Sequence, residues 1–145
     1  MSGIICAIRG GPRSQTTIAR AIELATRANS PLYFIYVVNL DFLTKREFYP
    51  KHFVDVELEQ MGEFILMLAQ EKAAKSGVIA QCSIRHGNVL EELVAACKEN
   101  DCRTIVLGLP EGKASLFSHE TLLHTQETLE AATGATIVWV GDDAA

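Results

Sequence analysis

Three short runs of apolar, mostly branched residues constrain this fold more than any other feature of the sequence. They occupy residues 4–8, 32–38 and 104–107, and segments with helical periodicity separate them. A strand without hydrophobic alternation is typical of a parallel sheet whose two faces are both covered by helices. The runs therefore predict the central strands of an α/β protein.

Two more strands and four helices complete the predicted order. The strands are 78–84 and 136–140, and the helices are 14–28, about 52–76, 89–100 and about 118–133. Ser14 is a suitable N-cap for the first helix, and Gly77 is a suitable C-cap for the second. The inward face of the first helix is predicted to consist of Ile18, Ala21, Ile22 and Ala25. With right-handed crossovers, the order βαβαβαβαβ predicts one domain (1–145) with an open parallel sheet and helices on both faces.

The charge and the first residues of the chain exclude several classes of function. With 13 basic and 18 acidic residues the net charge is −5, which disfavours nonspecific binding to nucleic acids or anionic membranes. No apolar run approaches the roughly 20 residues of a membrane span, and the first residues lack the pattern of a signal peptide. We therefore expect a cytoplasmic protein with no membrane insertion and no nucleic-acid partner.

Four cysteines, Cys6, Cys82, Cys97 and Cys102, are spread over the chain without a CxxC pair. Because Cys6 and Cys82 fall in predicted strands and Cys97 in a predicted helix, we expect buried, reduced thiols. A redox pair of Cys97 and Cys102 is the alternative, but no neighbouring residue in the sequence would lower a thiol pKa.

Glycine-bearing loops follow the first and the fourth strands. The first reads Arg-Gly-Gly-Pro-Arg-Ser over residues 9–14, and the second occupies residues 108–113. Where such a loop leads into a helix, free backbone N–H groups and the helix dipole favour anions. We expect an anion or a nucleotide to bind here with Arg9, Arg13 and Lys113. The alternative is a tight turn whose arginines are solvated.

Several of these features together resemble the universal stress protein family. They are Ser14 and Ala21 after the first strand, Arg85-His86-Gly87 before a helix, the run 104–108 and the closing strand 136–140. The resemblance spans essentially the whole chain and implies a Rossmann-like sheet with strand order 3-2-1-4-5. It also implies a function, since many members bind ATP and others act in signalling or stress tolerance through dimers and partner contacts.

The sequence departs from the family's ATP-binding pattern at three points. Arg9 occupies the position of an aspartate that contacts adenine, and three residues rather than two separate Gly108 from Gly112. Leu123 and His124 occupy the position of the final pair in the family's G-x2-G-x9-G-[S/T] loop. A loop that wraps phosphate needs glycine because its backbone approaches closely, so a nucleotide is expected only in an altered pose.

The candidate ligand site combines the two loops with neighbouring strand ends. Its residues are Ile8, Arg9, Gly10, Gly11, Arg13, Val38, His86, Gly87, Gly108, Gly112, Lys113, Ser115, Leu123 and His124. ATP or another adenine nucleotide is the ligand that the resemblance suggests, and no other cofactor is expected. A metal site is not expected either, because His119 and His124 lie about 140° apart around a helix.

In the implied strand order, the last strand lies at an edge of the sheet. Its residues Ile137, Val138, Trp139 and Val140 include no charge or proline that would block pairing with another chain. The resemblance implies dimers formed through this strand, so we expect a homodimer with these residues in the interface. The alternative is an edge that the C-terminal tail shields.

Three functions remain open on the sequence alone. The first is a homodimeric regulatory module of the stress-response type that binds a nucleotide or another anionic small molecule. The second is a dimerisation or partner-binding module with an empty crevice, or one that Leu123 or Arg9 fills. The third is a slow ATPase, for which Glu111 is the only carboxylate in the loop before Glu120. No Ser-His-Asp order, zinc-protease motif or Walker loop occurs, so we expect no catalytic residues.

Overall fold

The computed structural model describes residues 3–8, 14–38, 51–109 and 119–141, with side chains from residue 56 in the third range and 122 in the last. Strands and helices alternate along these residues. The strands are β1 (Gly3–Ile8), β2 (Leu32–Val38), β3 (Ala80–His86), β4 (Cys102–Gly108) and β5 (Thr136–Val140). The helices are α1 (Ser14–Ala28), α2 (Lys51–Lys75), α3 (Val89–Glu99) and α4 (His119–Thr133).

The strands form one parallel sheet with the order β3-β2-β1-β4-β5, which confirms the predicted fold class and order. The central strand β1 pairs with β2 through Ile4↔Leu32 and with β4 through Ile4↔Thr104. The helices α1 and α2 pack on one face of the sheet, and α3 and α4 pack on the other. The sheet is therefore covered on both sides, as the apolar runs predict.

Each face of the sheet buries its own cluster of side chains, because alternate residues of a strand point to opposite sides. Phe34 is completely buried on the face of α1 and α2. On the other face Ile5, Ile105 and Leu129 are also completely buried. The predicted inward face of α1 is confirmed, since Ile18, Ala21, Ile22 and Ala25 are all buried.

All elements start and end within two residues of their predicted ranges, and β3 shows the clearest difference. It begins at Ala80 rather than at residue 78, because the backbone N–H groups of Gly77 and Val78 form hydrogen bonds with the end of α2. The N–H of Val78 bonds to the carbonyl of Ala73 at 2.9 Å, and that of Gly77 bonds to Ala74 at 3.0 Å. With Gly77 at a φ of +78° this is a Schellman motif, so Val78 belongs to the helix end.

Candidate functional site

The carboxyl ends of the strands meet at one edge of the sheet, where β1 ends at Ile8 and β4 ends at Gly108. From β1 the chain continues to β2, whereas from β4 it continues to β5 on the opposite side. In parallel α/β sheets a crevice forms where the strand order reverses in this way, and ligands bind there. We call the space between the ends of β1 and β4 the crevice. Ile8, which is 2% exposed, and Gly108 lie at its base.

Gly108 lies directly against the first turn of α1. A Cβ atom added to Gly108 would stand 2.9 Å from the hydroxyl oxygen of Thr17, which is too close for a real side chain. Thr17 is only 5% exposed, although it is polar. Glycine therefore lets the end of β4 approach the N-terminal turn of α1. This packing brings the positive end of the α1 dipole close to the crevice.

The chain that leaves β4 is held by β5 on its other side. The N–H of Leu109 donates a hydrogen bond of 2.9 Å to the carbonyl of Val140. This bond continues the pairing of Gly108 with Val140. The start of the loop after β4 is thus fixed between α1 and β5.

The ends of β2 and β3 form the neighbouring part of the same sheet edge. Val38 pairs with His86, and its carbonyl accepts a 3.0 Å hydrogen bond from the N–H of Gly87. Gly87 has a φ of +127°, a conformation that side chains rarely tolerate. Nε2 of His86 lies 2.7 Å from a carboxylate oxygen of Glu59 in α2, with both side chains partly exposed. A carboxylate therefore neighbours His86, although none stands beside it in the sequence.

Arg85 links β3 to α3 next to this edge. Its guanidinium donates two hydrogen bonds to Glu99, of 2.9 and 3.1 Å, and one of 2.8 Å to Glu92. The bonds to Glu99 and Glu92 raise the pKa of Arg85 above its already high ordinary value. The same contact with Arg85 lowers the pKa of Glu99. The three side chains therefore form a charged bridge between strand and helix at neutral pH.

Half of the expected ligand residues lie outside the part of the chain that the structure describes. They are Arg9, Gly10, Gly11, Arg13, Gly112, Lys113 and Ser115. Of the others, Ile8, Val38, His86, Gly87 and Gly108 all lie at the carboxyl edge of the sheet.

Leu123 and His124 lie near the start of α4, and both are exposed. The exposed fraction of Leu123 is 47%.

β5 carries the residues expected in a dimer interface, and it is an edge strand. Ile137 is buried, whereas Val138, Trp139 and Val140 are half-buried against their own fold. The indole N–H of Trp139 donates a 3.0 Å hydrogen bond to the side-chain oxygen of Gln126 in α4. Within the described residues, β5 pairs with β4 alone, so one backbone edge of β5 bonds to no strand.

Three features of this region were not predicted from the sequence. Thr17, Glu59 and the pair Glu92 and Glu99 all act through tertiary contacts. Thr17 had a signal, since it is a polar residue at an inward position of an amphipathic helix. No sequence pattern predicts Glu59 as the partner of His86, or Glu92 and Glu99 as the partners of Arg85, because each partner lies on another helix or strand.

The cysteines are free thiols, and Cys6, Cys97 and Cys102 are buried, as expected. The prediction is wrong for Cys82, which is only half-buried because β3 is an edge strand of the sheet. Burial raises the pKa values of Cys6, Cys82 and Cys102. The sulfur atoms of Cys97 and Cys102 lie only 2.6 Å apart. The structure therefore brings together the two residues of the alternative redox pair.

Two further properties hold for the described ranges. No three histidine, cysteine, aspartate or glutamate side chains there are arranged to hold a metal ion. Nor do these ranges contain a helix with the length and apolar character needed to cross a membrane.

Comparison with known proteins gives consistent matches. The sequence model of the universal stress protein family matches residues 1–117. Universal stress protein YxiE of Bacillus subtilis (strain 168) is 31% identical over 113 residues, which are 72% of this chain and 76% of that protein. A universal stress family protein from Burkholderia pseudomallei has a TM-score of 0.71 at 22% identity, with 95% of each chain covered. An Arabidopsis thaliana universal stress family protein with AMP bound has a TM-score of 0.66 at 13% identity, with 99% of this chain and 94% of that chain covered.

Proposed function

The chain belongs to the universal stress protein family, and we propose that it is a cytoplasmic regulatory module that binds an adenine nucleotide, or another anionic small molecule, in the crevice. The observation that carries this proposal is the contact of Gly108 with Thr17. It holds the end of β4 against the N-terminal turn of α1, and a helix N-terminus attracts anions through its backbone N–H groups and its dipole.

Structural relatives support the choice of an adenine nucleotide. Universal stress proteins of this fold are solved with AMP, with dAMP and with cAMP bound. In this chain the apolar base of the crevice would come from Ile8 and Val38, both of which are 2% exposed. We propose that Arg9, Arg13 and Lys113 supply the positive charge that a phosphate group requires.

The remaining candidate residues would line the rim of the site. Gly10, Gly11, Gly87, Gly108 and Gly112 would allow close approach of the backbone to the ligand. Ser115 and His86 would offer hydrogen bonds, while Leu123 and His124 would contact the ligand from α4. Because Leu123 replaces a glycine of the ATP-binding pattern, the phosphate groups would lie in a pose that differs from the family's.

The test begins with the protein as purified. It is denatured, and the released small molecules are identified by mass; calorimetric titrations of protein freed of ligand with ATP, AMP and inorganic phosphate then follow. The double variant Arg9→Ala/Arg13→Ala should bind the nucleotide at least about tenfold more weakly, the loss of about 1.4 kcal/mol expected for a charge-assisted contact. The matched control is Arg27→Ala, which removes an arginine that is 71% exposed at the other end of α1.

The results separate the outcomes clearly. A bound nucleotide whose affinity falls in the double variant but not in Arg27→Ala supports the proposal. Protein that releases no nucleotide and takes up none of the three ligands would refute it. Equal affinity in both variants would refute the assigned role of Arg9 and Arg13.

A second proposal concerns assembly, and it rests on the unpaired edge of β5. We propose that two copies of the chain associate through Ile137, Val138, Trp139 and Val140. The strand carries no charged residue or proline that would block such pairing. Sedimentation velocity at tens of micromolar protein should show a dimer for the native chain and a monomer for Val140→Lys. Ala132→Lys, on the exposed surface of α4, is the control that should remain dimeric; a monomeric native chain would contradict the proposal.

A further inference from the structure

Cys97 and Cys102 form a pair of sulfur atoms that neither the nucleotide site nor the β5 edge uses. Their Sγ atoms are 2.6 Å apart, about half an ångström more than a covalent S–S bond. Cys97 lies near the end of α3 and Cys102 is the first residue of β4, so four residues separate them. Cys97 and Cys102 are 2% and 6% exposed.

The turn between the two cysteines is held by hydrogen bonds to the elements around it. The backbone N–H and the side-chain amide of Asn100 both donate to the carbonyl of Ala96, at 3.1 and 2.8 Å. Asp101 takes a left-handed φ of +49°, and its carbonyl accepts a 3.1 Å bond from the N–H of Gly3. The folded backbone, rather than chance encounter, therefore keeps the two sulfur atoms together.

The other two cysteines offer no comparable pair. Cys6 and Cys82 belong to the cluster on the α1 and α2 face, whereas Cys97 and Cys102 belong to the cluster on the α3 and α4 face. The sheet separates the two sets. Intramolecular oxidation is thus directed to a single pair.

We propose that Cys97 and Cys102 are a thiol modification site that a hydroperoxide converts into an intramolecular disulfide. One thiolate attacks a peroxide oxygen, the O–O bond breaks, and a sulfenic acid and one water (or alcohol) form. The second thiol then attacks the sulfenic sulfur, which forms the S–S bond and releases a second water. The peroxide is reduced by two electrons, and the two thiols together are oxidised by two electrons. A dithiol reductant converts the disulfide back to two thiols by thiol–disulfide exchange and is itself oxidised to a disulfide.

Burial shapes the behaviour of this site. The pKa of Cys102 is raised, mainly by burial, so oxidation requires a small oxidant and transient opening of the four-residue turn. Once formed, the disulfide would link the end of α3 to the start of β4. This link lies at the amino-terminal ends of the strands, whereas the crevice lies at their carboxyl ends. The inference does not depend on nucleotide binding.

Peptide mapping tests the proposal directly. Native protein is treated with hydrogen peroxide, remaining thiols are blocked with iodoacetamide under denaturing conditions, and the protein is digested with trypsin without reduction. Cleavage after Arg85, Lys98 and Arg103 separates the two cysteines into peptides 86–98 and 99–103. The expected product is these two peptides linked, with two hydrogen atoms lost, and it should disappear after treatment with dithiothreitol.

Variants and stability measurements sharpen the result. Cys97→Ala and Cys102→Ala should each abolish the linked peptide, whereas Cys82→Ala should leave it unchanged. The thermal midpoint should be higher in oxidised than in reduced native protein, because the cross-link restricts the unfolded chain. Four alkylated cysteines after peroxide treatment, a link to Cys6 or Cys82, or oxygen adducts in place of the disulfide would overturn the proposal.

Discussion

β3 and β5 are the two edge strands of the sheet, and they differ in the side chains that they carry. β3 carries the polar side chains of Gln81, Ser83, Arg85 and His86, and contacts from both faces of the sheet hold it. The amide of Gln70 in α2 donates 2.8 Å to the carbonyl of Ala80, and Arg85 reaches α3 on the other face. β5 is apolar after its first residue, and the indole of Trp139 anchors it to α4 through a hydrogen bond to Gln126.

The difference indicates which edge is available to another chain. Charged and polar side chains discourage the addition of a further strand, whereas an apolar edge without them invites it. The side chains of β3 therefore disfavour pairing with another chain. The dimer proposal depends on β5, whose side chains do not. Because polar bonds hold β3 and apolar packing mainly holds β5, substitutions at the two edge strands should lower the free energy of unfolding by different amounts.

The largest difference is expected for the buried leucines beneath the two edges. Leu129 of α4 is completely buried with Ile137, and Leu66 of α2 is 4% exposed beside Cys82 and Ile84. Leu129→Ala should lower the free energy of unfolding by about 4 kcal/mol, and Leu66→Ala by about 2 to 3 kcal/mol. Urea unfolding followed by circular dichroism measures both values. A larger loss for Leu66→Ala would mean that β3, not β5, depends more on packing.

The glycines that flank the two edges provide a second comparison. Gly87 follows β3 at a φ of +127°, and an added Cβ would stand 3.4 Å from the carboxylate of Glu92. Gly134 precedes β5 at a φ of +74°, with open space around it. Gly87→Ala should cost about 2 kcal/mol, because its conformation is nearly restricted to glycine. Gly134→Ala should cost about 1 kcal/mol, the penalty of a left-handed alanine; equal costs in urea unfolding would contradict this ranking.

Removal of the charged bridge at β3 should have a smaller effect. Arg85 is 19% exposed and donates to two glutamates, so Arg85→Ala should lower the free energy of unfolding by about 1 to 2 kcal/mol. Arg20→Ala is the matched control. Arg20 pairs with Glu23 on the surface of α1 and is 41% exposed, so its loss should cost under about 0.5 kcal/mol. The bridge would have no special role if both substitutions had the same cost.

Much of the fold could be predicted because its signals are local. The apolar runs identify the central strands, and the periodicity of Ile18, Ala21, Ile22 and Ala25 identifies the inward face of α1. The start of β3 was displaced, because residue 78 satisfies a carbonyl at the end of α2 and that requirement outweighs its strand propensity.

Less of the site could be predicted, because its contacts join distant elements. The sequence predicts that Gly108 lies at the end of a strand, but its contact with Thr17 depends on how α1 packs against the sheet. The pairing of His86 with Glu59 has no pattern in the sequence. The closeness of Cys97 and Cys102 likewise depends on the geometry of the turn between them.

The smallest expected effect is the pH dependence of the bridge at β3. Contact with Arg85 lowers the pKa of Glu99 below its ordinary value of 4.5. A carboxylate with a lowered pKa in the folded state contributes stability above its unfolded pKa and loses it as the pH falls through the folded pKa. The thermal midpoint of the native chain should therefore exceed that of Glu99→Gln by a constant amount at neutral pH. Below 4.5 the difference should shrink.

Thermal unfolding at a series of pH values, from neutral to about pH 3, measures this difference as Glu99 takes up its proton. The effect is small because Glu99 is 58% exposed, and solvent screens its charge. The control is the same comparison made in the Arg85→Ala background, where Arg85 no longer lowers the pKa of Glu99 and the pH-dependent difference should vanish. A difference that persists in that background would show that another group stabilises the carboxylate. The polar contacts that hold β3 against α3 would then include more than the bridge of Arg85 to the two glutamates.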